Sequence, residues 1–287
     1  MSKDKGNYKV FELPESICVF TGKKTKARLV HDPIPELKSL HRRIQTLISR
    51  VKIPDYCHGG AKGRSYRTNA HTHVDSYEVA TFDLKSFFSS TTAPQIFSFF
   101  RNDMQCAADI AGLLTDLCTY KRALPTGSPL SPLLAFWANR ALFATLDKRA
   151  KELDLKLSVY VDDVTISGRH LPRSLPTQVE GIVTKFGHKL ATHKTRVFGH
   201  SSPKHVTGVV IHRGKLSVPH TRFQKARSIY RAISMAADDA QRESLAAKLG
   251  GLLGEAAYID ARYKPWAKRT YAELAHIKAR RAATTLE

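Results

Sequence analysis

Cysteine is scarce in this sequence, and acidic residues are few for its size. Four cysteines (Cys18, Cys57, Cys106 and Cys118) are scattered along 287 residues without a Cys-x-x-Cys pair, so they read as reduced thiols rather than a disulfide framework. Cys57-His58 with His71 and His73 matches no common zinc spacing. No run approaches the ~18 apolar residues of a membrane span, and the opening residues Met1 to Gly6 are polar, so neither a span nor a secretory signal is expected. The expected location is cytoplasmic. Asp and Glu number 25 against 46 Lys and Arg, a formal net charge of +21 with a pI near 10.0.

Such an excess of base in a chain with 42% hydrophobic residues points to a polyanionic partner. Nucleic acid fits better than a membrane surface, because the bases are spread along the chain and no single basic amphipathic helix stands out. Charge alone would equally suit a ribosomal or DNA-coating protein.

The most informative stretch is Ser158-Val159-Tyr160-Val161-Asp162-Asp163-Val164-Thr165-Ile166-Ser167, two apolar runs flanking adjacent carboxylates. It predicts two short strands meeting at an acidic turn. Two Asp side chains that close repel by about 1 kcal/mol in water and about 4 kcal/mol at the effective dielectric of a surface pocket, so a cation is expected beside them. Asp-Asp can also simply make the turn. Upstream, Tyr77 to Phe88 is a second β-rich run carrying Asp83. If the strands are neighbours, Asp83, Asp162 and Asp163 converge as an oxygen site suited to Mg²⁺.

Elsewhere, Thr21 to Val30 reads as a basic turn feeding an apolar strand, and Pro35 to Val51 as a helix with a stripe of Leu37, Leu40, Ile44, Leu47, Ile48 and Val51. Tyr56 to His73 is a Gly-rich loop holding Lys62, Arg64 and tyrosines, suited to gripping nucleic acid, although an ordinary Gly-rich loop has the same composition. Pro94 to Tyr120 reads mostly as helix. Leu124 to Pro132 reads as a stiff turn before a buried helix, a setting in which backbone can be held against a nucleotide. Val179 to Leu190 predicts an amphipathic helix, and Val206 to Ile211 with Lys215 to Val218 a hairpin. Pro219 onward is Ala-rich, basic and helical, with Gly250-Gly251 expected to break one helix.

Tyr160-Val161-Asp162-Asp163 resembles the YxDD box of reverse transcriptases, and Phe82-Asp83 through Phe88 resembles their first palm motif. Leu124-Pro125-Thr126-Gly127-Ser128-Pro129 is similar to the second, with Thr126 where Gln is usual. Asn69-Ala70-His71-Thr72-His73 fits the Asn-Ala-x-x-His pattern of retron enzymes, and Val206-Thr207-Gly208 their Val-Thr-Gly triplet. The ordered set covers about Gly22 to Ile211 and is much more specific than any one motif.

The resemblance implies an α+β right-hand polymerase: fingers over 1–76, a palm over 77–215 (antiparallel sheet packed on helices, finger helices inserted around 94–124) and a short helical thumb over 216–287. It implies an RNA-directed DNA polymerase with Asp83, Asp162 and Asp163 as ligands of two Mg²⁺ ions and Lys194 as general acid or electrostatic stabiliser at the leaving pyrophosphate. Lys24, Arg28, Leu84, Phe88 and Gly127 would meet the nucleotide, Phe88 by excluding a ribose 2′-hydroxyl. Lys62, Arg64, Asn69, His73, Tyr160, Val206, Thr207 and Gly208 would meet nucleic acid. The implied partners are deoxynucleoside triphosphates, a structured non-coding RNA serving as template and primer, its DNA product (a branched RNA–DNA hybrid, msDNA) and an effector protein in antiphage defence. No membrane is implied. Another prokaryotic reverse transcriptase, such as a group II intron or different defence-associated type, stays open, although the little sequence after the thumb argues against maturase or endonuclease domains. A catalytically silent RNA-binding scaffold stays open too.

Overall fold

The computed structural model describes residues 6–18 and 24–284, so Thr21, Gly22 and Lys23 of the expected finger turn lie outside the described residues. The chain divides into two compact units, one of Met1–Pro14 with Ala27–Thr207, the other of Glu15–Lys26 with Gly208–Glu287. Four short strands come first: β1 (Tyr8–Leu13), β2 (Ser16–Ile17), β3 (Lys24–Thr25) and β4 (Arg28–Pro33). β1 pairs antiparallel with β4 in the first unit, and β2 with β3 in the second.

The first unit continues with α1 (Pro35–Ile48), started by its proline and buried along Leu37, His41, Ile44 and Ile48. Next comes α2 (Tyr66–His71), where Ser65 and Thr68 exchange side-chain and backbone hydrogen bonds in a capping box. β5 (Glu78–Asp83) leads to α3 (Phe87–Ser90) and α4 (Ala93–Ser98). The helix expected over 94–120 is not continuous. It passes through a π turn at Phe99–Asp103, breaks, and resumes as α5 (Ala108–Cys118), which lets Phe99 and Phe100 both point into the core. Then follow α6 (Ser131–Ala138), nearly all buried, and α7 (Arg140–Glu152).

The acidic stretch forms β6 (Lys156–Tyr160) and β7 (Asp163–Gly168). α8 (Leu175–Lys185) starts and stops earlier than the expected 179–190, so that residues 189–191 run extended beside β5. β8 (Arg196–Phe198) completes an antiparallel sheet of order β6-β7-β5-β8. Its inner face is a continuous core of Ala80, Phe82, Val164, Ile166, Leu133, Phe136, Phe143 and Leu146 among others. β9 (Lys204–Val206) ends the unit. The strand expected over 206–211 is interrupted because Thr207 (φ +45°) and Gly208 (φ +82°) both take left-handed backbone.

The second unit holds the hairpin of β10 (Val209–His212) and β11 (Lys215–Ser217), then α9 (His220–Ser234), α10 (Asp239–Ile259) and α11 (Lys264–Thr284). Asp238 caps α10 by accepting from the Gln241 amide at 2.7 Å. Gly250-Gly251 does not break this helix, contrary to expectation. A Cβ on Gly250 would meet the Tyr271 ring of α11 at 3.1 Å and one on Gly254 the Tyr271 hydroxyl at 2.8 Å, so these glycines permit close helix packing. No helix among the described residues is long and apolar enough to cross a membrane.

Candidate active site

Strand register brings the acidic residues to one end of the sheet. Asp83 is the last residue of β5 and lies opposite Asp163, the first of β7, while the Leu84 amide donates to the Asp162 carbonyl at 2.9 Å. Between the strands, Val161 turns the chain with φ +59°, a costly conformation for a β-branched residue. Gly59 lies against this turn, and a Cβ there would fall inside contact with the Val161 amide nitrogen. The adjoining loop is tied to β6, with the His58 amide donating to the Val159 carbonyl (2.8 Å) and the Val159 amide to the Tyr56 carbonyl (2.7 Å).

The expected cation is present as Lys194. The Ala191 amide donates to the Asp83 carbonyl at 2.8 Å, and the Lys85 amide to the Lys189 carbonyl at 2.8 Å. That pairing delivers a 3₁₀ turn at Thr192–Lys194, from which Lys194 Nζ donates to Asp83 Oδ2 at 2.7 Å. This contact raises the Lys194 ammonium's pKa. Burial raises the Asp162 carboxyl, with Asp83's charge adding to it, and pushes Asp163 up to about 7, helped by Asp162 and Asp83 and opposed by Lys194.

The expectation of a ready three-carboxylate ligand set needs correction. Among the described residues, no three Asp, Glu, His or Cys side chains are gathered closely enough to hold one ion together. Lys194 already takes an oxygen of Asp83. The donor chemistry nevertheless suits a hard divalent cation: three carboxylates at one sheet end, two of them held above the usual carboxylate range by burial and by neighbouring carboxylate charge.

The expected nucleotide contacts separate. Leu84 is buried with its amide committed to Asp162, which corrects its assignment: it is core that fixes the acidic turn. Phe88 is half-buried beside Phe87, whose ring packs on His188 at 5.6 Å. Gly127 sits where a Cβ would meet the His31 carbonyl oxygen at 2.7 Å, and its amide donates to that oxygen at 3.1 Å. Thr126 ties the same loop to β4, its hydroxyl accepting from the His31 amide and donating to the Leu29 carbonyl, both at 3.1 Å. Arg28, the first residue of β4, is exposed; in the second unit, Lys24 of β3 is exposed as well.

The nucleic-acid residues also divide. Lys62 and Tyr160 line a surface groove of about 380 Å³ with Gln45, His58 and Arg64. Arg64 is largely engaged within the protein, donating to the carbonyls of Pro54 and Cys57 (both 2.6 Å) and Asp55 (3.1 Å) and to the Asp55 carboxylate. Asn69, His73 and Val206 are fully buried, which corrects the expectation of direct contact. His73 instead bridges the acidic hairpin from within, Nδ1 to Ser167 Oγ and Nε2 to Ser158 Oγ, each at 2.6 Å. Asn69 Nδ2 reaches Thr207 Oγ1 at 3.4 Å, and the Thr207 hydroxyl donates to the Tyr66 carbonyl at 3.0 Å. The Asn-Ala-x-x-His segment is thus an internal strut between the hairpin and Thr207. Gly208 opens the second unit in left-handed backbone.

Sequence reasoning missed Gly59, Ser158, Ser167 and the 189–191 segment as supports of the site. Only Gly59 carried a signal, its place in a Gly-rich loop.

An antiparallel sheet with acids at the ends of its two central strands, packed on buried helices, defines a polymerase palm. The profile of the family described as reverse transcriptase (RNA-dependent DNA polymerase) matches residues 3–211, and the chain belongs to that family. Within it, the curated relatives the chain resembles are retron reverse transcriptases. It is 27% identical over 210 residues to the retron Ec86 reverse transcriptase of Escherichia coli, covering 72% of this chain and 65% of that protein. It is 30% identical over 219 residues to the retron Se72 reverse transcriptase of Salmonella heidelberg (71% and 57%) and 28% over 232 residues to the retron Mx162 reverse transcriptase of Myxococcus xanthus (69% and 47%). The chain spans about half to two thirds of the length of these relatives. Among solved structures, apo telomerase from Candida tropicalis superimposes with a TM-score of 0.54 at 9% identity, covering 96% of this chain and 64% of that one. A form truncated from the C-terminal domain gives 0.52 at 10% identity, covering 75% and 55%. At such identities the likeness establishes the fold alone.

Proposed function

We propose that this chain is an RNA-directed DNA polymerase that copies a structured non-coding RNA, using deoxynucleoside triphosphates and two Mg²⁺ ions. In this reading the product is a branched RNA–DNA hybrid and the role is antiphage defence with an effector protein. Residues 1–76 serve as fingers, 77–215 as palm and 216–287 as thumb. The observation that carries the reading is Asp83 in register with Asp163, beside Asp162 and under Lys194.

Asp83, Asp162 and Asp163 are the residues that would hold divalent ions, whose chemistry is to activate a primer hydroxyl and neutralise the triphosphate. For that, Asp83 must release Lys194. The freed ammonium then stands at the same sheet end, able to balance the leaving pyrophosphate's charge or give it a proton from Nζ. Half-buried Asp162 and Asp163 hold their protons above the usual carboxylate range, and a divalent cation arriving there would displace those protons and balance the carboxylates. Arg28 serves as a forked ligand for triphosphate oxygens; the same role for Lys24 rests on motif resemblance. Phe88 closes the space a 2′-hydroxyl would need, and the backbone at Gly127, anchored to β4, borders the nucleotide. Lys62, Tyr160 and the groove beside them receive the template–primer. Asn69, His73, Val206 and Thr207 act indirectly, by holding the hairpin and the chain that leads to Gly208.

The decisive experiment is primer extension on an RNA template with Mg²⁺, comparing the parent with Asp162→Ala. Extension should fall by at least about 10³-fold, in line with loss of one essential charge contact at a transition state (~4 kcal/mol). Equal synthesis by both proteins would refute the site.

A further inference from the structure

In the second unit, α10 packs against both α9 and α11, leaving a cavity of about 480 Å³ between the outer two. Its floor is apolar, with Leu249 and Leu253 of α10. Its walls are aromatic: Phe223 and Tyr230 from α9, Trp266 from α11, the Phe223 and Trp266 rings 6.4 Å apart. Tyr230 is 66% and Trp266 50% exposed, large values for such rings in a helical bundle. Arg227 and Arg269 border the same cavity and are exposed, and neither has an ion-pair partner among the described residues. Four acids of this unit are ion-paired elsewhere: Glu255 with Arg222, Asp239 with Arg242 and Arg280, Asp260 with Arg262, Glu243 with Arg281. Glu273 is the one acid lining the cavity.

We propose that this aromatic groove is a binding site for an unpaired nucleotide of a single-stranded RNA segment, the base stacking between the rings and the flanking phosphates pairing with Arg227 and Arg269. It rests on the polymerase reading only in taking the strand to be RNA. Charge decides against an apolar protein helix as occupant. Gly208–Glu287 carries fifteen Lys and Arg against seven Asp and Glu, and the two arginines flanking the rings lack the carboxylates that a neutral docking face would give them. Aromatic faces beside unpaired arginines are the combination that captures single strands, whereas duplex has no exposed base face to offer. Glu273 adds an acceptor for a base amino group, so adenine or cytosine should bind better than uracil.

Trp266 is also the reporter, because the other tryptophan, Trp137, is buried in the first unit. Fluorescence of the full chain is titrated with a five-nucleotide oligoadenylate, an oligouridylate of equal length and a blunt RNA duplex. Oligoadenylate should quench, the quench should vanish in Trp266→Phe, and duplex should quench little. Tyr230→Ala should weaken binding by on the order of tenfold. Arg227→Ser with Arg269→Ser should lower the slope of log K against log salt by about 1.4, the share of two single-strand phosphate contacts. Circular dichroism melting checks that each variant folds. Equal quenching by duplex or absence of quenching would overturn the assignment, and quenching that survives high salt and the arginine changes would overturn the pairing of phosphates with Arg227 and Arg269. Intact extension by the parent alongside such a failure would leave the polymerase reading standing.

Discussion

His73 shows how a residue can belong to a functional motif without touching a ligand. It is completely buried, and burial lowers its pKa to about 3, so it is neutral at physiological pH while bonding Ser158 and Ser167. An unfolded histidine titrates near 6.5, so the folded state binds fewer protons than the unfolded one between about 6.5 and 3. Stability is therefore fully present above 6.5 and falls as pH drops, by up to ~1.4 kcal/mol per pH unit from this group. Denaturant unfolding at pH 6, 5 and 4 should show that slope, and His73→Gln should flatten it. An unchanged slope would mean that His73 is protonated in the folded protein. Phe88 belongs to the same scale. Phe88→Ala should raise incorporation of ribonucleotides relative to deoxynucleotides in the extension assay, and unchanged sugar selectivity would remove it from the gate.

At the scale of elements, the acidic hairpin depends on the loop beside it. Because a Cβ at Gly59 cannot coexist with the Val161 backbone as it stands, Gly59→Ala must move the turn that carries Asp162. A displacement approaching 1 Å at a reacting centre costs on the order of 100-fold, so kcat should drop by about that factor with little change in nucleotide KM. Gly181→Ala, on α8 with nothing within 4 Å of its added Cβ, is the control that should leave kcat alone. Gly254 poses the same kind of constraint in the second unit, where the Tyr271 hydroxyl occupies the space of a side chain. Of the pair that looks like a helix breaker in one dimension, Gly250 is a close-packing position against Tyr271 while Gly251 faces open space, a distinction that depends on the neighbouring helix.

For the whole molecule the governing quantity is the net charge of +21. Binding to RNA should release counterions, and a footprint of six or more phosphates would cost about 10³-fold in affinity between 50 and 200 mM salt. Fluorescence anisotropy across that range checks it, and an affinity indifferent to salt would count against a backbone-dominated interface.

The order of the motifs, the basic excess, the apolar stripe of α1 and the acidic hairpin itself were legible in the sequence, because composition and short-range periodicity are local properties. The pairing of Asp83 with Asp163, the capture of Asp83 by Lys194 and the burial of Asn69 and His73 were decided only by tertiary structure. Strand register and the path of residues 189–191 follow from packing between segments up to about a hundred residues apart, and such packing leaves no trace in local spacing. A polar side chain carries no mark of whether it will face a groove or a pair of buried serines until the sheet has closed over it.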